Sequence, residues 1–531
     1  VSEAPERASR APGEFTLGEL PVVPVPAEAP GAPEDRPRRR SRRRRGASAA
    51  AGPRPRFLAA TDPVLRWGPA ALLLFAPLAW GSVEAWSELV VIAGAAVVGA
   101  TWILRIALYP EASAAERSAG SHLGSWSGGL HAALLALLAV GAAQLLPLGP
   151  LAGLLSPVAE QVQRGSGIGA GSLTLSLARG ETQRALALYV AYALIFLAVL
   201  DGLPGRAETR RLAAVMLTLG FAHAIGGILW HYRSVGSTYW GQIPGAGSFG
   251  PYVNRNHFAC LMAMTLPLGV GHLLSLARRR EAEPSPEPRP GRPAEPAGAE
   301  AAMRRVLFGF MAAVMAGALA LSLSRGGIVS GLAALAVLFA GLAARRATRG
   351  HLATAGAAVA AALAFAVWLA AQPLLERLGS LTGLFAADGA LAPRTGIWDD
   401  TLRMAADFPL FGAGLGTFAE VYPRYQSAYA GSVVEHAHSD WLQLLAEGGL
   451  AGTLAVLGLI GAYAAVAGRL LARRRDPEAL LLALGGIGGL CAFGLHAFSE
   501  FNARIPANAL WFTALAALTL KALASRRERA G

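Results

Sequence analysis

A set of arginines and histidines stands at the ends of long apolar stretches or in the polar segments between them. Arg325 interrupts one such run, "ALALSLSRGGIVSGLAALAVLFAGLAARR". "GPYVNRNHFACLMAMTLPL" places Asn254, Arg255, Asn256 and His257 where another run begins. Arg394 precedes "TGIWDD", and "VVEHAHSDWLQLLAEGGLAG" carries His436, His438 and Ser439. "HAFSEFNARIP" adds His496, Glu500 and Arg504. Arginine presents a planar fork of donors suited to phosphate oxygens, and histidine is the usual general base near neutral pH. Together these residue types read as a site that holds a diphosphate and deprotonates a hydroxyl. A polyprenyl-diphosphate sugar donor with a sugar or lipid acceptor fits that chemistry. Taken singly, each residue has a plainer account. Arg325 can snorkel to the interface, and Glu500 can serve as an acid at a helix N-terminus.

The elements that must position these groups are membrane helices. The chain has 531 residues, 54% of them hydrophobic and 15% charged, with a mean hydropathy of +0.43. Such values exclude a soluble multidomain protein. Apolar stretches of spanning length are read near 64–83, 87–108, 128–147, 184–202, 209–231, 257–277, 304–322, 326–344, 350–371, 440–468, 478–497 and 507–524. The net charge of +13 sits in loops beside these stretches, which is the pattern of cytoplasmic loops rather than of a nucleic-acid binder. With a basic tail at 1–63 inside, the linker 278–303, "ARRATRG", "RRRDP" and the basic end 525–531 also fall inside. Both termini are then cytoplasmic, and the tail's arginine run is an anchor on anionic lipid. The tail and linker, rich in Pro, Glu and Arg, are expected to be disordered. No cleavable signal peptide is expected. Cys260 and Cys491 lie in apolar runs and read as buried small hydrophobes. The opposite face then holds the Arg325 turn, a long loop at 372–438 and a link near 498–506. Trp398, Leu402 and Ala405 recur at helical spacing, so a short surface helix is predicted after Thr395 and before Pro409.

"SLSRGG", an arginine before the loop helix, and "HAHSDWLQLLAEGGLAG" resemble, in that order, the O-antigen ligase and O-antigen polymerase superfamily. Its ligases carry His, then Asn, Ser or Gln, nine residues, Gly, two more, and Gly, Thr or Tyr; His438, Ser439, Gly449 and Gly452 fit. The resemblance covers about 230–515. It implies an all-α polytopic membrane fold, GT-C-like, of about twelve transmembrane helices with a large periplasmic loop. An N-terminal bundle at 64–277 is followed by the ligase-like domain at 304–524. It also implies transfer of a glycan from undecaprenyl diphosphate in the bacterial inner membrane. His438 matches the family's loop histidine, the base or acceptor-positioning group. Arg325 and Arg394 match the arginines that hold the diphosphate, with Arg255 a further one. His257, His436, Glu500 and Ser439 are supporting residues. No cofactor is expected. The acid pair Asp399–Asp400 reads as first-turn acids of the surface helix, and no metal site is predicted. Ligase, polymerase and protein O-glycosylating readings share this chemistry. A lipid-linked glycan transporter would want ionisable groups at mid-membrane depth, whereas this sequence gathers them at one surface.

Overall fold

The computed structural model describes residues 56–111, 127–203, 205–233, 247–282, 299–345, 392–427 and 433–525, with Gly356 and Ala364. Regular structure among them is helical: α1 (Arg56–Leu78), α2 (Ala85–Leu108), α3 (Ser127–Leu145), the short α4 (Pro150–Leu155) and α5 (Pro157–Gly165), α6 (Arg179–Gly202), α7 (Gly205–Arg233), α8 (Arg255–Ala282), α9 (Ala299–Leu321), α10 (Arg325–Ala344), α11 (Ala392–Asp407), α12 (Phe418–Val421), α13 (Asp440–Arg473), α14 (Pro477–His496) and α15 (Pro506–Ala524). Ten of these, α2, α3, α6 to α10 and α13 to α15, are long and apolar enough to cross a bilayer. The protein is therefore an all-α polytopic membrane protein.

Several boundaries differ from expectation. Helix α1 starts at Arg56, inside the expected tail. With Asp62, Arg66 and three internal prolines it is not among the ten apolar spans. Both ends of the 278–303 linker are helical, because "LARRREA" and "AEAAMRR" are strong helix formers that prolong α8 and α9. The surface helix, α11, begins at Ala392 rather than after Thr395. A proline in its first turn, Pro393, is compatible with that start. The predicted span at 350–371 and residues 372–391 of the long loop lie outside the described residues, apart from Gly356 and Ala364.

The bundle is organised around α8, α14 and α15. Helix α8 is buried over 94% of its most apolar stretch and α15 over 89%, against 17% for α3 and α13. The first two are core helices, and the last two carry lipid-facing surface. Water cannot drive helices together inside a bilayer, so close packing through small residues does so. "LGGIGGL" on α14 supplies it: a Cβ at Gly485 would stand 2.5 Å from the Pro267 carbonyl, and one at Gly489 2.3 Å from that of Met264. The alternation of helices then fixes the site. The starts of α8, α10, α13 and α15 and the end of α14 meet at one end of the bundle.

Candidate functional site

At that end the link from α14 to α15, "HAFSEFNARIP", is the hub to which the other elements are tied. Glu500 is 1% exposed. Its Oε1 accepts from Asn256 Nδ2 and from Arg394 Nη2, each at 2.5 Å, while Arg394 Nη1 donates to the Ser499 carbonyl at 2.5 Å. Its Oε2 faces His438 Nδ1 at 3.7 Å. Burial pushes the Glu500 carboxyl up, but His438, Arg394 and the neighbouring imidazoles more than offset this and hold it at about 2. Glu500 is thus a carboxylate at any working pH. Arg394 lies in the first turn of α11, not before the helix as expected. Among the described residues two of its five N–H donors are taken, by Ser499 and Glu500.

Three imidazoles surround the next residue, Phe501. His436 stacks on it at 4.2 Å, and His257 and His438 meet it edgewise at 4.6 and 5.0 Å. Their Nδ1 atoms have different partners. Gln443 Oε1 accepts from Ala437 N, which turns its amide nitrogen toward His436 Nδ1 at 3.3 Å, so that nitrogen accepts. His257 Nδ1 lies 3.1 Å from Asn502 Oδ1, an acceptor already taking Asn508 Nδ2, so the Nδ1–H tautomer satisfies it. His438 alone of the three faces a carboxylate. Burial and then the charge of Arg504 hold the His436 imidazolium down, to about 3. His438 keeps 30% of its side chain exposed and has φ +50°. Non-glycine residues adopt that backbone region at a cost, and such strain concentrates at functional sites.

His496 is 1% exposed and makes no hydrogen bond through either ring nitrogen among the described residues. The α10 turn lies against it: a Cβ at Gly326 would stand 2.9 Å from His496 Nε2 and 3.1 Å from Ser499 Oγ. The glycine of "SRGG" is thus what lets the Arg325 turn close over the 496–499 strip. Ser324 caps this helix, accepting from Gly327 N at 3.2 Å, and half-buried Arg325 is its first residue.

Ser439 has a structural place, as the cap of α13 that accepts from Leu442 N at 3.4 Å. Asp440 then joins this helix to the hub, its N–H donating to the Ala497 and Glu500 carbonyls and its Oδ2 accepting from Ala503 N. Gly449 breaks α13 with φ +59°, and a Cβ there would stand 2.5 Å from Gly412 N and 2.6 Å from Leu410 C. The loop 409–414 docks in the break through Leu450 N to Pro409 O at 2.8 Å and Ala413 N to Ala446 O at 2.9 Å. Gly449, ten residues beyond Ser439, and the intervening Asp440–Gly448 segment therefore secure the floor on which α11 and the His436–His438 segment rest. Beneath it, buried Glu447 pairs with Arg504 at 2.8 Å, and Arg504 also donates to Tyr189 OH at 3.0 Å.

The structure joins His438, His436, His257, Arg394 and Glu500 directly, and brings the Arg325 turn onto His496 and Ser499. Arg255 opens α8 one residue before Asn256, its backbone N–H donating to the Gly247 carbonyl at 2.6 Å. The acid pair is not a first-turn pair, since α11 begins seven residues before Asp399. Asp399 is exposed, and buried Asp400 accepts from Tyr422 OH, Ser427 N and Arg403. Among the described residues no group of three or more His, Cys, Asp or Glu is disposed to hold a metal ion. Sequence reasoning missed Asn256 as a ligand of Glu500, and Phe501, Asn502, Asn508 and Glu447 altogether. Polar residues set within apolar helices, as in "PANALWF" and "LLAEGGL", were the available signal.

Residues 310–457 match the family model described as O-Antigen ligase. A segment of 145 residues is 31% identical to the exopolysaccharide production protein ExoQ of Rhizobium meliloti (strain 1021), covering 25% of this chain and 32% of that protein. The chain thus spans about a third of the length of that curated relative. The matched region contains Arg325, Arg394, His436 and His438 but ends before the 496–504 hub.

Proposed function

From the likeness of residues 310–457 to the O-antigen ligase family model we propose that the chain is a member of the O-antigen ligase-like superfamily and a membrane glycosyltransferase. It moves a glycan from undecaprenyl diphosphate to a lipid or saccharide acceptor on the periplasmic side of the inner membrane, with both termini in the cytoplasm. The observation that carries this reading is the Glu500 carboxylate, which holds Arg394 at 2.5 Å and faces the exposed His438 at 3.7 Å. An anion-binding fork and a base backed by a counter-ion stand on one side chain.

In this reaction the acceptor oxygen attacks the sugar C1 and the C1–O bond to the diphosphate breaks. The acceptor proton passes to His438 Nε2, and the bonding electrons leave with the diphosphate. Arg394 and Arg325, with Arg255 as a further one, neutralise the charge that develops there. The imidazolium formed at His438 turns its Nδ1–H to Glu500, an arrangement that stabilises the positive ring as it forms. A single displacement inverts the anomeric configuration. His257 and His436 support the site through Phe501, and Ser439 through its cap. Arginines supply permanent positive charge where many transferases use a cation, so transfer proceeds without a divalent metal.

The test is transfer by purified protein from an undecaprenyl-diphosphate glycan, with lipid and saccharide acceptors offered separately under excess EDTA. An inverted product under chelation is expected. Activity lost to EDTA and restored by Mg²⁺ would remove the metal-free step, and a retained anomer would remove the single displacement. The relative's name, exopolysaccharide production, favours the saccharide acceptor; product formed only with the lipid acceptor would reject that preference. Orientation is tested by a membrane-impermeant thiol reagent on intact cells. A cysteine at Leu410 is expected to be labelled and one at Arg304 spared, and the reverse would put the site on the cytoplasmic face.

A further inference from the structure

Phe501 belongs to no catalytic class of side chain, yet it touches three imidazoles at the centre of the site. We propose that Phe501 is a positioning residue for His438, holding its ring toward Glu500 and stabilising it as an imidazolium by contact with the aromatic ring. The inference rests on the reading of His438 as the base and deepens it.

The geometry is specific. His436 lies parallel to Phe501, with 27° between the rings at 4.2 Å, and fixes its plane from one side. His438 meets the same ring at 74° and 5.0 Å, inside the roughly 6 Å over which a cation above the ring face is attracted to it. His257 meets it at 68° and 4.6 Å. The Nδ1 partners already described allow the extra proton to rest comfortably on one imidazole only, since His438 alone of the three faces Glu500. A leucine in place of Phe501 would leave Glu500 and Arg394 where they are but remove the ring that His438 leans on. The strained φ of +50° at His438 makes such lateral support consequential, because an unsupported backbone relaxes away from that region.

The charged and titratable groups around His438 are Glu500, His257 from α8 and His436 from its own segment, with Arg394 of α11 and His496 of α14 acting on Glu500 behind it. A contact that favours the charged imidazole raises its titration midpoint, so removing the contact lowers it. The base acts when neutral, so the acid limb of the rate profile moves to lower pH. A ring–cation contact of ordinary strength corresponds to about half a pH unit.

Two readouts separate this role from simple packing. In Phe501→Leu, kcat is expected to fall about tenfold with KM for the donor unchanged, and the acid limb to move down by about half a unit. Phe501→Tyr restores both, and Phe501→Met, which fills the space without a ring, serves if the leucine variant does not fold. The same midpoint is read without substrate from the pH dependence of diethyl pyrocarbonate modification of His438, located by mass spectrometry. That measurement stands even if the wild-type protein transfers no glycan, so failure of the functional reading is distinguishable from failure of this one. A His438 midpoint that is the same in wild type, leucine and methionine variants overturns the proposal, as does a tyrosine variant that behaves like leucine.

Discussion

His438→Ala is expected to lower glycan transfer by about three orders of magnitude, within the range typical for loss of a general base, with donor binding retained. In the proposed reaction the donor is held by guanidinium groups rather than by His438. Of the four histidines at this end, His257 and His496 are 3% and 1% exposed, and His436 is kept neutral by burial and by the charge of Arg504. None of them can take over the proton. Glu500→Gln removes the counter-ion and loosens Arg394 together, so it lowers kcat and raises KM. The double variant His438→Ala with Glu500→Gln is expected to show no further loss in kcat beyond His438→Ala, because a counter-ion has nothing to stabilise once the base is gone. Multiplicative losses in kcat would mean that Glu500 acts on the reaction independently of His438. Arg325→Lys provides the contrast: a point charge anchors to the interface as well as a guanidinium but cannot give a bidentate fork. Full activity in the lysine variant would return Arg325 to an interfacial anchor.

How much of this was legible in the sequence follows from where the information resides. Span lengths and the end of the bundle that gathers His and Arg are local properties of hydropathy and charge, and they were readable. Gly449, ten residues beyond Ser439, was readable as part of a pattern, but its cause was not. Its φ of +59° and the approach of Gly412 N within 2.5 Å of a Cβ there depend on a loop some forty residues earlier. Glu500 was visible as a charge near a helix end, where the plainer account was an N-terminal acid. Its actual partners come from α8, α11 and the His438 loop, three segments far apart in the chain. Phe501 carried no signal at all, since an aromatic residue beside a span is ordinary in any membrane protein. Only contacts across the fold distinguish it. Asp399 and Asp400 show the converse error, because shifting the start of α11 by one turn moved both away from the helix N-terminus and gave Asp400 to Tyr422 and Ser427.

Arg504→Met is expected to destabilise the folded protein by about 3–5 kcal/mol, the cost typical of leaving one partner of a buried ion pair uncompensated. Glu447 is 0% exposed and pairs with Arg504 at 2.8 Å. It also accepts at Oε1 from Gln443 Nε2 and Phe418 N, so loss of the guanidinium removes the counter-ion of a buried carboxyl that is otherwise held in place. The Arg504 guanidinium is held above its ordinary range, because Glu447, Tyr189 and Asp440 more than offset the effect of burial. The Arg504 guanidinium is therefore charged at all working pH values. Glu447→Gln in the Arg504→Met background removes the orphaned charge and keeps an amide oxygen for Phe418 and Gln443. The double variant should be more stable than Arg504→Met alone, read as a higher thermal midpoint in detergent. The alternative is that Arg504 is itself a donor ligand, as its place among the outer arginines would suggest. On that account Arg504→Met raises KM at unchanged thermal midpoint, and Glu447→Gln brings no rescue. A structural Arg504 predicts the opposite: the midpoint falls, and transfer falls with it. The 502–504 turn is fixed to α13 by Arg504 and by Ala503 N to Asp440 at 2.9 Å, and it carries Phe501 and Glu500 immediately before it. Losing one of those two ties moves the groups that hold His438 without removing any group that touches the donor.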